Sequence, residues 1–169
     1  MMLHPVVAET RRLLMSAVEG LEGPRLETRG ADGRWSVAEI VEHLALTYEG
    51  TVRGLRRSIE NKQPWIAPVS FRQRVIRFAI VELGYFPSGR EAPAHVRPSG
   101  VSFVEAVSRA DAGLTAMDAA LVEAAAQFGG DRVPVLKHPN IGAFSVRDWR
   151  RFHRIHTRHH VRHIASRVT

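Results

Sequence analysis

Residues 145–169 read S-V-R-D-W-R-R-F-H-R-I-H-T-R-H-H-V-R-H-I-A-S-R-V-T, and they hold five of the chain's nine histidines: His153, His156, His159, His160 and His163. Ser145 followed by Asp148 has the form of a capping box, with Asp where Glu or Gln is usual. No Gly or Pro interrupts the chain after Asp148, so the stretch predicts one helix from about residue 146 to the end. At about 100° per residue, Trp149, Phe152, His153, His156, His160, His163 and Ile164 share one face. Arg147, Arg150, Arg151, Arg154, Arg158 and Arg162 share the other, which is expected to face water. Histidines thus occupy positions where a bundle helix carries Leu or Ile. Buried imidazoles need partners, which can be carboxylates, carbonyls or a metal ion. His156 and His160 lie one turn apart, a spacing that lets two imidazoles converge on one ion. His153 and His163 extend the face by a turn each way as packing or supporting residues, and His159 falls off the stripe, partly exposed.

Working outward, residues 131–144 carry Pro134, Pro139 and Gly142 and read as a turn-rich connection, in which His138 is a turn residue. Before it, a helix beginning at Ser99 or Ser102 places Phe103, Val107, Leu114, Met117, Ala120, Leu121 and Ala124 inward and ends at Gly129-Gly130. Residues 85–101 hold three prolines and two glycines (a long loop of the kind that often carries function), and its Arg90 and Arg97 are candidates to meet an anionic substrate. Residues 71–84 read as a shorter helix with Phe71, Val75, Phe78, Ile80 and Leu83 as its apolar face.

Ser36-Val37-Ala38-Glu39 is a second capping box, with Trp35 placed to staple onto Ile40. The helix it opens runs to about residue 60, and Gly50 and Gly54 mark a close helix crossing. His43 sits at the border of its apolar stripe, where a cleft can reach it. Tyr48 is core, Glu39 a cap, and Glu42 solvent-facing. Residues 5–21 form the first helix. The sum is all-α: a four-helix bundle with an inserted short helix and two long loops, one domain over residues 1–169.

Composition sets limits. The chain has no cysteine, which excludes disulfides, iron–sulfur clusters, thiolate zinc sites and a cysteine nucleophile. That usage fits a cytoplasmic protein. No apolar run is long enough to span a membrane, and the first residues lack the pattern of a signal peptide. A net charge of +7 favours anionic partners or a solvated arginine-rich surface. No zinc-finger, RRM or KH pattern is present.

Two stretches then combine. R-W-S-V-A-E-I-V-E-H-L ends at Leu44, just past His43, and L-K-H-P-N-I-G-A-F-S-V-R-D-W-R-R-F-H-R-I-H-T-R-H-H ends at His160. A Trp-Ser helix start followed by E-H-L, a His-Pro…Gly…Trp segment and H-x-x-x-H on the last helix resemble the DinB/YfiT-like superfamily, in this order along nearly the whole chain. The resemblance implies a metal-binding bundle with ligands at His43, His156 and His160. It also implies a divalent ion with open positions for substrate, a homodimer, and in some members transfer or isomerisation with a low-molecular-weight thiol. Nitrogen donors suit Zn, Ni, Co or Fe. With no Cys in the chain, any thiol comes from a cosubstrate.

Three readings are open. The first is a metal-dependent enzyme, a thiol S-transferase or isomerase or a hydrolase, acting on a small molecule. The second is a non-catalytic dimeric bundle. The third is a nucleic-acid-binding protein using the arginine face of the last helix. The metal site selects the first and leaves the reaction and its catalytic residues open.

Overall fold

The computed structural model describes residues 2–85 and 92–168, so Arg90 lies outside the described residues. Five helices, α1 (Pro5–Val18), α2 (Val37–Glu60), α3 (Phe71–Arg77), α4 (Phe103–Phe128) and α5 (Val146–Val168), are joined by one hairpin, β1 (Pro134–His138) and β2 (Gly142–Ser145). α1, α2, α4 and α5 form the bundle. α2 packs chiefly against α4, and α1 against α5. No helix among the described residues is long and apolar enough to cross a membrane.

The capping chemistry sets the helix starts. Ser36 Oγ accepts from Glu39 N at 3.2 Å, and Glu39 returns a bond to Ser36 N at 2.9 Å. Ser145 and Asp148 do the same at 3.2 and 3.1 Å, so Asp completes that box as well. Ser102 caps α4, and Gly129, at φ 94°, ends it.

The core is drawn from every bundle helix: Leu14, Leu44, Tyr48, Leu55, Leu114, Met117, Leu121 and Ile164 are buried. Alanines of α4 (Ala106, Ala110, Ala120, Ala124) let α2 approach closely. The glycine at that crossing is Gly113, where an added Cβ would stand 3.2 Å from the Cβ of Tyr48. Gly54 serves a different neighbour from the one expected: Leu136 of β1 lies where its Cβ would be, at 2.8 Å. Gly50 has only the Arg53 guanidinium, at 3.8 Å.

Three expectations are corrected. Within residues 131–144, read as a turn-rich connection, the chain forms an antiparallel hairpin that pairs Lys137 with Ala143 and His138 with Gly142. Val135 and Phe144 anchor it in the core. The loop before α3 joins this hairpin, Lys137 N donating to Trp65 O at 2.8 Å. The shorter helix turns π-helical over Phe78–Glu82. Ile80 and Val81 of that segment are buried, whereas Phe71, Val75, Phe78 and Leu83 are exposed. Finally, Arg150 does not face water. It is 4% exposed, with Nη1 2.9 Å from Asp131 and Nε 3.4 Å from Asp118, and Asp118 also accepts the His4 N–H. Arg151 and Arg154 pair with Glu82 and Glu9.

Candidate metal centre

His43 follows the Ser36 cap by two helical turns and lies inside the bundle, 4% exposed. His156 and His160 face it from α5, 5% and 8% exposed. Their ring nitrogens converge: His43 Nε2 is 3.4 Å and His160 Nε2 3.0 Å from His156 Nε2. All three candidate donor atoms lie within 4.8 Å of one another. Among the described residues this is the one group of three or more His, Asp or Glu side chains close enough to share an ion.

The loop after α3 fixes the orientation of His43. Val96 O is 2.7 Å from His43 Nδ1. A carbonyl can only accept, so Nδ1 carries the proton and Nε2 presents its lone pair to the cluster. One proton cannot bridge three nitrogens, and imidazolium is disfavoured here. Burial lowers the pKa of His43 against the opposing pull of the Val96 carbonyl. Burial, and then the charges of the neighbouring imidazoles, lower that of His156 far below its usual value and that of His160 to about 2. The three nitrogens are therefore neutral donors, the form a metal requires. Tetrahedral bonds of about 2.0–2.1 Å would separate nitrogens by about 3.3–3.4 Å, close to the 3.4 and 3.0 Å at which His43 and His160 stand from His156. The residues fit a divalent ion.

Aromatic rings wall the cluster. Phe152 stacks on His156 with ring centres 5.5 Å apart, and Trp35 lies 5.0 Å from the His43 ring. His153 stacks on Trp149 and bonds Thr51 Oγ1 at 2.9 Å, the supporting place expected of it. Among the described residues its Nδ1, like that of His160, has no hydrogen-bond partner. Tyr48 is core and bonds Thr157 at 2.5 Å.

His138 does more than turn the chain. Its ring packs among Phe144, Trp149 and Phe152, and burial followed by the charge of His95 lowers its pKa to about 4. His159 is half-buried as expected. His163 is exposed, at the edge of the cleft.

Glu42 overturns its expected place. It is 1% exposed. Oε1 accepts from Ser99 N at 2.9 Å and Ser99 Oγ at 2.6 Å, and Oε2 accepts from Gly100 N at 2.9 Å and Val101 N at 3.3 Å. Burial alone would raise its pKa, but these bonds outweigh burial and lower it. Consecutive residues of α2 thus grip one loop, Glu42 by accepting from Ser99–Val101 and His43 by donating to Val96. The triad, Trp35, Thr47, Thr51, His153 and Val96 line a cleft of about 1860 Å³.

A family model described as the DinB superfamily matches residues 7–164. Among solved structures, one described as "YfiT from Bacillus subtilis is a probable metal-dependent hydrolase with an unusual four-helix bundle topology" is similar at 18% identity. Its TM-score is 0.58, covering 96% of this chain and 81% of that one. No curated protein matches.

Proposed function

The chain belongs to the DinB superfamily, and from that premise we propose that it is a divalent-metal-dependent enzyme acting on a small molecule, with His43, His156 and His160 as ligands. One observation carries the reading: three buried, neutral imidazoles converge at the wall of a cleft. The description of YfiT as a "probable metal-dependent hydrolase" supports hydrolysis as the reaction.

A divalent ion held here supplies Lewis acidity, polarising a substrate oxygen and acidifying a nucleophile. The chain's own residues do the rest. Val96 holds His43 in the tautomer that presents Nε2. Glu42 holds the loop that carries Val96. Phe152 and Trp35 exclude water from the rings of His156 and His43. Besides the triad, the imidazoles of His95 and His159 line the cleft. Transfer to a thiol requires an external thiol, since the chain has no cysteine.

The test is elemental analysis of protein purified without an affinity tag, then turnover with ester, amide and thiol–electrophile substrates. One tightly held divalent ion per chain is expected, lost in His160→Ala. Failure to take up Zn, Ni, Co or Fe on reconstitution would sink the proposal.

A further inference from the structure

His43, Thr47, Gly50, Thr51, Gly54 and Arg57 all line the cleft. Their spacing of three and four residues puts them along one face of α2. From His43 to Arg57 is fourteen residues, about 21 Å at the helical rise. Midway the floor is open at Gly50, where a side chain would enter the cleft rather than the core.

The far end is built around Trp65, 40% exposed. Its backbone is held by Lys137 N and by Ser58 Oγ. The Arg57 guanidinium lies 4.6 Å and the Lys137 ammonium 5.0 Å from the centre of its indole. Of the cleft's other cations, Arg29 is matched by Glu39, Arg34 and Arg167 by Asp32, and Arg53 by Glu49 at 3.9 Å, while Arg97 Nε donates to Ala92 O at 3.0 Å. Arg57 and Lys137 have no carboxylate partner among the described residues. Two like charges drawn to one ring repel, and an oxyanion within reach of both would offset that repulsion. The indole adds an apolar surface beside it.

We propose that this end of the cleft is an anion subsite, and that the substrate is an elongated small molecule. Its carboxylate or phosphate, remote from the reacting bond, is held by Arg57 and Lys137 beside Trp65. The assignment of the reacting end rests on the metal-centre reading.

The experiment measures binding of hydroxamates, which chelate divalent ions, to zinc-loaded protein. The probes have methylene chains of increasing length ending in carboxylate, phosphonate or neutral amide, with acetohydroxamate as the short reference. We expect long chains with a charged end to bind on the order of tenfold tighter than amide-ended ones, the better of the two oxyanions naming the natural group. Arg57→Gln combined with Lys137→Gln abolishes that preference and leaves zinc content and acetohydroxamate binding unchanged. Gly50→Leu weakens the long chains alone. Equal affinity of charged and neutral ends, in protein that holds zinc and binds acetohydroxamate, overturns the anion subsite and leaves the metal centre standing. Loss of both zinc and acetohydroxamate binding in the unmodified protein overturns the metal centre, and the subsite assignment with it.

Discussion

Glu42 and Ser99 stand fifty-seven residues apart, yet one carboxylate oxygen of Glu42 accepts both the amide and the hydroxyl of Ser99. Replacing Glu42 by Ala strands the Ser99, Gly100 and Val101 donors at the loop's anchor. Ser99 and Gly100 are exposed and Val101 half-buried, so water can partly replace Glu42, and the cost is that of lost bonds to a charged acceptor, about 1.5–3 kcal/mol each before that replacement. We expect a net loss of roughly 2–4 kcal/mol, read from urea midpoints, together with weaker metal retention because Val96 loses its fixed place. Unchanged stability would contradict the anchoring role.

His43 and His160 separate two effects. His43→Ala removes a donor nitrogen and also the Val96 bond; His160→Ala removes a nitrogen and its contact with His156 Nε2 but no bond to the loop. In metal-free protein we expect the first to destabilise by about 1–2 kcal/mol more than the second. Zinc at about a hundredfold over its dissociation constant should stabilise the unmodified protein by about 2.7 kcal/mol, raising its Tm. Neither variant should respond. A zinc-dependent Tm in both would exclude these ligands.

Acid should destabilise the metal-free fold well before carboxylates titrate. An unfolded histidine takes up a proton near pH 6.5. Burial, and then the charge of His138, hold the pKa of folded His153 down to about 3, and that of His138 itself is about 4. Between these limits the unfolded chain binds more protons, so stability falls as pH drops through 6.5. The slope is about 1.4 kcal/mol per pH unit for each imidazole. Glu42 adds a further loss at lower pH, since its lowered pKa stabilises the fold only while it is ionised. Urea midpoints that stay flat from neutrality to about pH 5 would contradict this.

The two glycines of α2 should respond oppositely. Gly54→Ala drives a methyl group into Leu136, with contacts at 2.8 and 2.9 Å, and should cost about 1–3 kcal/mol. Gly50→Ala meets open space and should gain up to about 1 kcal/mol from helix propensity. Equal denaturant midpoints for the two variants would refute the distinction.

The features legible in the sequence rest on local chemistry. Both capping boxes, and the pairing of His156 with His160 one turn apart, depend on residues within a few positions of each other. The features it hid depend on distant partners. Glu42 looked solvent-facing because its donors are mainly backbone amides from a remote loop, which carry no side-chain signature. Arg150 lay on the water face of a wheel that could not include Asp118 of α4 or Asp131. His163 shared the histidine stripe, but a wheel does not show which of its positions a neighbouring element covers. β1 and β2, five and four residues long, were too short for alternation to stand out between prolines and glycines.

Ser145 is the last residue of β2 and also the cap of α5. The hairpin therefore acts as the clock from which the angular phase of α5 is counted. His156 and His160 point at His43 only because they lie eleven and fifteen residues from that fixed start. One residue inserted between Ser145 and Phe152 would advance both by about 100°, swinging them off the cleft while leaving every side chain of the triad in the chain. The angular placement of His156 and His160 is thus set by the count of residues from Ser145 as well as by the histidines themselves.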